Sequence, residues 1–542
     1  MQPVVGIGAA CGGTGERDKV DADIILVGAG HNTITAAAYL ARCGLSVLLL
    51  EKNDLAGGGA ISRPATLPGF IHDIHATGVA HLQAHPIITH DELELLSRHG
   101  LKFAYPEVSF MTIFGDGDTL SCFRDLDRTC AEIARYSSKD AESYRRMAAF
   151  MEQVGPLMEM ALSRPPTPFG AFMSLLEQAP FGAELMRALM TSTYDVVTEN
   201  FEHPKVRMHF LKWAAEAAVA PEEKTTGINM FFLIGASHSR PAGAVIGGTQ
   251  QMTDAMLRVI EENGGKVRLN TAVRRVLNRN GVARAVELAD GTVLEARKAV
   301  IASIHPHLLG DMVDGLDETL VRRARTTHPS SFAELTIHGA LPEKVRWKSG
   351  NQADDCLAIN LVDTTDMKTF RQIFDDLRYG DLPRSFIADV GLHTNYDPSR
   401  APAGQHSFYM NVFVPFELAD GRDWAEVKQA HAEWCLDHFC AYTENVTRQS
   451  FLDVYVESPR DMVVHSPSFQ AGDIMGLGSY AYQSLGMRPT PELAQYRVPG
   501  AEGLYLCGPF MHPGGGLTGG GRAVAMRIME DAGVDYSKVI RT

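Results

Sequence analysis

The chain has 542 residues, 45% hydrophobic and 21% charged, with 65 acidic against 50 basic side chains and a net charge of −15. That length exceeds one simple core and calls for packed lobes. So acidic a surface excludes nucleic acid as a partner, because binding it takes clustered Lys and Arg that displace counterions.

In chain order, residues 1–20 read as a flexible tail. "GIGAACGG" there is glycine-rich, but too few residues precede it for a strand and polar "GERDKVD" follows where a helix would begin. Asp23 to Val27, "DIILV", is apolar and β-branched, as expected of a strand buried on both faces of a parallel sheet. "NTITAAAYLARCG" is apolar at helical spacing, and Gly44 can end it. "LSVLLLE" is a second buried strand finishing at Glu51, an acid 23 positions after Gly28. This is a β-α-β unit for a dinucleotide. Gly28 permits the tight turn, Gly30 lets backbone approach pyrophosphate, and the helix N-terminus that starts with His31 and Asn32 supplies N–H groups and partial positive charge. Glu51, followed by Lys52, is placed to accept hydrogen bonds from ribose hydroxyls. Thr33 stands where a third glycine is usual; a slight helix shift absorbs it and leaves its hydroxyl facing the phosphates. A second glycine turn, Gly57-Gly58-Gly59 leading into Ala60, has no use in a nicotinamide site and selects FAD.

His72, His75, His81, His85 and His90 follow at short spacings, but no Cys joins them and Asp73 is the one carboxylate close among them, so no metal site is read there. Residues 101–242 read as a helical insertion. Its Met-rich stretch, Met147 to Met190, is either a helical core or a soft lid over an apolar tunnel that rests on a membrane surface. From Thr249 to Asn263 a helix is expected, then one alternating strand, "KVRLNTAVRRVL", then a hairpin turning at Asp290-Gly291. "FAELTIHGAL", "CLAINLV", "SFIADVGL" and "HSFYMNVFVPF" read as strands, and Trp424 to Arg448 as a helix. Near the end, Leu504 to Cys507 is a short strand, Gly508 ends it, and two glycine triplets flank Leu517-Thr518 before a helix from Arg522 to Asp531.

Taken together, "VGAGHNTITAAAYLARCGLSVLLLEKNDLAGGGA", "LPGFIHDIHATG", "YDPSRAPAGQHSFYM" and the C-terminal "GDIMGLGSYAYQSLGMRPTPELAQYRVPGAEGLYLCGPFMHPGGG" resemble the phytoene-dehydrogenase-related, carotenoid desaturase-type flavoproteins of the amine oxidase superfamily. The resemblance implies an α/β chain: a discontinuous Rossmann-like FAD domain of glutathione-reductase type (21–100, 243–305 and 490–542), the helical insertion, and a mixed-sheet substrate domain (306–489) whose face roofs the flavin. It places Val273 against adenine through its backbone, and Gly508, Pro509, Gly516, Leu517, Thr518 and Gly519 beside the flavin. Pro509 departs from the acid that many FAD proteins carry there. His75 is brought near the flavin, and His512 is either a general base or a brace on the glycine turn. Arg488 reads as an anchor for the loop before the last strand.

The activity implied is removal of a hydride from a carbon of an apolar, terpenoid-like or alicyclic substrate, forming a double bond. Amine oxidation, flavin-dependent isomerisation or reduction, and a non-catalytic prenyl- or lipid-binding role on the same fold remain alternatives. The electron acceptor stays open among oxygen, a quinone and another carrier, as does the oligomeric state. The eight cysteines form no C-x-x-C, which reads as reduced thiols in the cytoplasm. No apolar run reaches the ~18 residues of a membrane span, which leaves at most peripheral membrane contact.

Overall fold

Five strands of one sheet run parallel in the order Lys266–Arg268, Val47–Leu50, Ala22–Val27, Val293–Ala302, Leu504–Leu506. They come from both ends and the middle of the chain. The structure, a computed structural model, describes residues 20–540, so the expected N-terminal tail lies outside the described residues but for Val20. Ala22–Val27 and Val47–Leu50 are buried along their whole length, as β-branched and leucine runs of a parallel sheet covered on both faces must be. The helix His31–Arg42 joins them and packs against the helices Gln250–Glu262 and Gly521–Asp531. Its Ala36, Ala37 and Ala38 are fully buried, and their small side chains allow those neighbours to come close.

Val293–Ala302 serves two sheets' worth of pairing. Its first residues pair antiparallel with Val282–Leu288, which pairs in turn with Val273–Arg279. Its later residues run parallel to Ala22–Val27. The single strand expected over "KVRLNTAVRRVL" is therefore two. Asn270 adopts φ +52°, and the N–H groups of Asn270 and Thr271 donate to the carbonyls of Asn53 and Glu51, which breaks the run and redirects it.

The second sheet follows the order Asp453–Glu457, Ala333–Leu341, His406–Val414, Ile387–Gly391, Cys356–Val362, Val108–Phe114, Thr119–Phe123. All neighbours are antiparallel except Cys356–Val362 with Val108–Phe114. The hairpin Val108–Phe123 thus joins this sheet, and within 101–242, expected to be helical, the helices begin only at Leu126. One face is apolar. Leu335, Ile337, Met410 and Val412 pack there with Val427, Leu436 and Phe439 of the helix Trp424–Ala441, which stops short of the Arg448 expected. The opposite face carries Thr112, Glu334, Thr336, Asn360, Asp389 and Asn411, because strand alternation sends every second residue that way.

The helices Ser138–Leu162, Pro204–Ala215 and Ile228–Ile234 cover part of this polar face through Tyr144, Phe210 and Phe231. In the Met-rich stretch, Met147, Met151 and Met158 are core, whereas Met160 and Met190 are 46% and 48% exposed, so the segment is core on one side and surface on the other. Among the described residues, no helix is long and apolar enough to cross a membrane.

Buried ionic contacts tie the loop between Ile387–Gly391 and His406–Val414 to the short strands Ile71–Asp73 and Ala244–Val245. Arg400 donates to Asp73 Oδ2 at 2.6 Å, to Asp397 at 3.0 Å and to the carbonyl of Val245 at 2.7 Å. Asp73 also accepts from Ser62 and from the N–H of Thr249. The motifs "IHD" and "YDPSR", far apart in sequence, meet in this clamp.

Candidate active site

The first turn is held by its own backbone. Gly28 has φ +83°, in the region that favours glycine. The N–H of Gly57 donates to Ala29 O at 2.7 Å, and the N–H of His31 to Gly57 O at 3.1 Å. A Cβ on Gly58 would stand 2.9 Å from Gly30 Cα, at a φ of +60°. The two N-terminal glycine turns therefore lock together, and the second glycine triplet has a steric reason. Thr33 Oγ1 donates to Gly28 O at 2.6 Å and Gly30 O at 2.9 Å. Its hydroxyl is spent on the loop's own carbonyls instead of facing phosphates, which corrects the expectation and explains why a threonine holds this turn.

Glu51 is buried. Its carboxylate accepts from the N–H of Ala29 at 2.7 Å and of Asn53 at 2.9 Å, which fixes it at the mouth of the loop. Lys52 reaches out to Val464 O at 3.1 Å. Ala60 is buried and its carbonyl accepts from Thr253. Val273 begins its strand two residues beyond Thr271, whose N–H donates to Glu51 O, so it belongs to the Glu51 end.

The C-terminal turns come to the same place. A ring nitrogen of His31 hydrogen-bonds Gly516 O at 3.2 Å. A Cβ on Gly521 would meet Asn32 O at 1.9 Å, so the starts of the helices His31–Arg42 and Gly521–Asp531 abut. Both present their N-terminal ends, with free N–H groups and partial positive charge, at one cleft. That cleft is a cavity of about 450 Å³. Gly30, His31, Asn32 and Thr33 line it, with Gly58, Gly59, Pro509, Gly516, Leu517 and Thr518. A side chain on Gly30 would find nothing within 4 Å, so open space faces this backbone. Asn32 Oδ1 is buried there without a partner. Gly28, Glu51, Lys52, Gly57, Ala60, Val273, Gly508 and Gly519 are not among the residues that line this cavity. Gly508 is packed on the Phe510 ring and Gly519 on the His85 ring, each too closely for a Cβ.

His75 lines the cavity. Its Nδ1 lies 3.7 Å from Glu457 Oε2, and neither ring nitrogen has a hydrogen-bond partner. Burial, then the neighbouring His465 and Arg63, push its pKa down to about 3. Burial pushes Glu457 up to about 7. The five histidines of the "HDIHATG" region do not gather: His72 hydrogen-bonds Thr66, and His85 caps the helix Pro86–Thr89. His75 gathers instead with Glu457 and His465, whose ligand atoms lie within 4.8 Å of one another, a grouping that local spacing does not reveal. His512 turns its Nε2 to Ala161 O at 3.0 Å, at the end of the helix Ser138–Leu162, and is absent from the cavity wall, so its side-chain bond goes neither to the cavity nor to the glycine turn. Arg488 donates to the carbonyls of Leu477, Pro509 and Met511 and fixes the loop before the glycine triplets.

Away from the glycine turns, Phe110, Leu162, Trp213, Phe232, Leu233 and Leu357 give the wall a large apolar part, interrupted by His81, Asn229 and His393. Beyond them lies a polar pole that the sequence did not disclose, made by Glu334, Asp389, Asn411 and Glu216. Burial, followed by the charge of Glu216, raises Glu334 to about 8 and moves Asp389 upward too. The signal was present in the strands: a single acid or amide interrupts the buried runs "FAELTIHGAL", "SFIADVGL" and "YMNVF".

The family model for flavin-containing amine oxidoreductases matches residues 34–525. The chain belongs to that family. Among curated proteins it is 24% identical to a limonene dehydrogenase polypeptide of Castellaniella defragrans, over 95% of both chains. It is 24% identical to a lycopene-forming phytoene desaturase of Pseudescherichia vulneris, over 94% of this chain and 99% of that one. Among solved structures, cyclohexylamine oxidase from Brevibacterium oxydans shares the fold, with a TM-score of 0.58, 16% identity, and coverage of 95% and 100%. The flavoenzyme is thus an oxidoreductase, its cofactor is FAD, and its parallel sheet with abutting helix N-termini is the FAD-binding fold. This sets aside the non-catalytic lipid-binding alternative.

Proposed function

We propose that the enzyme removes a hydride from a carbon of a largely apolar, alicyclic or terpenoid-like substrate and leaves a double bond. The observation that carries this reading is the cavity itself. It runs without interruption from glycine backbone at the cofactor end to a wall of Phe110, Trp213, Phe232 and leucines. The names of the limonene and phytoene relatives agree with such a substrate.

FAD, when bound, supplies the two-electron acceptor. Gly30, Gly58 and Gly516 let backbone come close to it. The ends of the helices His31–Arg42 and Gly521–Asp531 favour negative charge in their cleft, and Glu51 is the acceptor for ribose hydroxyls. The aromatic wall orients the substrate and excludes water. Loss of a hydride and a proton from neighbouring carbons needs a proton acceptor. His75 Nε2 is assigned that role, since the ring is neutral, lines the cavity and is unpartnered. With its pKa pushed down to about 3 the ring is a weak base, so it takes the proton only as the Glu457 carboxyl, 3.7 Å from Nδ1 and itself raised to about 7, ionises beside it.

Anaerobic mixing of the FAD-loaded enzyme with limonene, geraniol and cyclohexylamine tests the reading. Bleaching of the flavin absorbance by the terpenoids is expected. In the variant His75→Asn bleaching slows by a factor on the order of 10² to 10⁴, as for loss of a general base. A flavin that no alicyclic or terpenoid compound reduces sinks the assignment.

A further inference from the structure

We infer that His75, Glu457 and His465 form a binding site for Zn²⁺, and that the metal there switches off proton abstraction by His75. Only the second clause rests on the role proposed for His75.

The three side chains come from separate elements. His75 lies two residues past the short strand Ile71–Asp73. The N–H of the next residue, Ala76, donates to Gly59 O at 3.1 Å, which pins this stretch to the second glycine turn. Glu457 ends the strand Asp453–Glu457, and His465 ends the helix Pro459–His465. His75 and Glu457 are buried, whereas the His465 side chain is 27% exposed and leaves a way in from solvent.

Hydrogen bonding singles out the atoms that face one another. His75 Nδ1, Glu457 Oε2 and His465 Nδ1 are buried without a hydrogen-bond partner. His75 Nδ1 lies 3.7 Å from Glu457 Oε2, and His465 Nδ1 lies 3.3 Å from Glu457 Oε1. The outward atoms are engaged: Glu457 Oε1 accepts from the Tyr455 hydroxyl at 2.6 Å, and His465 Nε2 contacts Arg63 Nη2 at 3.3 Å. The two imidazole rings stand 5.7 Å apart at 67°, and the ring of Phe469 packs edge-on against His75 and sets its orientation. One ligand atom from each residue falls within 4.8 Å of the other two. Zinc bonds of ~2.1 Å in a tetrahedron separate neighbouring ligand atoms by ~3.4 Å, so a modest turn of the partly exposed His465 closes the set.

The donor types select the metal. Two imidazole nitrogens and one carboxylate oxygen suit zinc, while magnesium and calcium take shells of oxygen. The surrounding cations oppose the metal to different degrees. Lys428 is bonded to Asp461, and Lys52 to Val464 O. Arg63 is the direct competitor, because a metal on His465 Nδ1 leaves that ring's proton on Nε2, where Arg63 now sits.

The same valence rule governs His75. A metal on Nδ1 of a neutral imidazole fixes the proton on Nε2, the atom assigned to accept from substrate. The metal also holds the Glu457 carboxylate. The ring then has no lone pair to offer, and the reaction stops without any change at the glycine turns.

Zinc binding to the FAD-loaded, chelator-treated enzyme is measured by calorimetry, with Mg²⁺ as the control. One tight zinc per chain and no magnesium binding are expected. In His465→Gln the zinc affinity is expected to fall by about 100-fold or more, since losing even an outer partner of a ligand costs ~10–100-fold. Arg63→Gln is expected to bind zinc more tightly than the wild type. Flavin content and melting temperature check that both variants fold. In the wild type, zinc is expected to slow flavin bleaching by a terpenoid by a factor on the order of 10² or more, as loss of a general base does. Metal-free His465→Gln still bleaches, and zinc no longer slows it. Absence of tight zinc, or equal binding by His465→Gln, overturns the site and leaves a water molecule as the bridge. Zinc held through His465 with undiminished bleaching overturns the switch. If no terpenoid bleaches the metal-free enzyme, the proposed function falls, and the calorimetry still decides the site.

Discussion

At the scale of single residues, the site is shaped by side chains that are absent or turned inward. Gly58 is small because Gly30 lies against it, and Thr33 spends its hydroxyl on the carbonyls of Gly28 and Gly30. A threonine in a glycine position is thus a fastening for the turn, and FAD binding tolerates it. Glu334 shows the opposite economy: a carboxyl kept in a buried strand at a cost to the fold. Its folded pKa of about 8 lies far above the ~4.3 of an unfolded chain. Between those values the folded protein holds a proton that the unfolded one has released. Stability from this group is therefore full below pH ~4 and is lost as pH rises toward 8, at up to about 1.4 kcal/mol per pH unit. Melting temperatures of the wild type and Glu334→Gln between acidic and mildly basic pH check this. The wild type is expected to fall more steeply with rising pH, and parallel slopes would refute the assignment.

At the scale of elements, the decisive contact is between the starts of the helices His31–Arg42 and Gly521–Asp531. A methyl group on Gly521 would enter the space of Asn32 O, at 1.9 Å. Gly521→Ala is expected to cost about 1–3 kcal/mol of stability, as overpacked sites do, and to lower the FAD-to-protein ratio of the purified enzyme. Unchanged flavin content would show that the two helix ends act independently. These elements were legible because their signals are local: a β-branched run, an alanine helix, glycines where φ must be positive. The strands Ala333–Leu341, Cys356–Val362, Ile387–Gly391 and His406–Val414 were legible for the same reason. Other features depend on distant partners. Nothing near Lys266 announces that the backbone of Asn53 and Glu51 will split that run at Asn270. The hairpin Val108–Phe123 carries a turn signal in "GDGD", yet its membership of the second sheet is decided by Cys356–Val362, much later in the chain. The polar pole escaped notice because Glu334, Asp389 and Asn411 become a site only when three strands align them.

At the scale of the whole molecule, the cavity is lined by the glycine turns on one side and by residues of the second sheet on another, and the Asp73–Arg400–Asp397 clamp joins distant segments with charges that are fully buried. On the proposed reading, FAD lies between glycine turns from distant parts of the chain, so its binding would cross-link segments that separate on unfolding. Free FAD at about 100 times its dissociation constant is expected to add about 2.7 kcal/mol of stability. A rise in melting temperature with added FAD checks this, and a melt indifferent to FAD would contradict a cleft built from both termini. The order of synthesis gives the strand Leu504–Leu506 and the helix Gly521–Asp531 a particular timing. Until they leave the ribosome, the first β-α-β unit has only half a pocket, so a nascent chain cannot retain its pigment. Flavin loading is therefore expected only after these segments have been made, and ribosomes stalled before them would carry colourless chains.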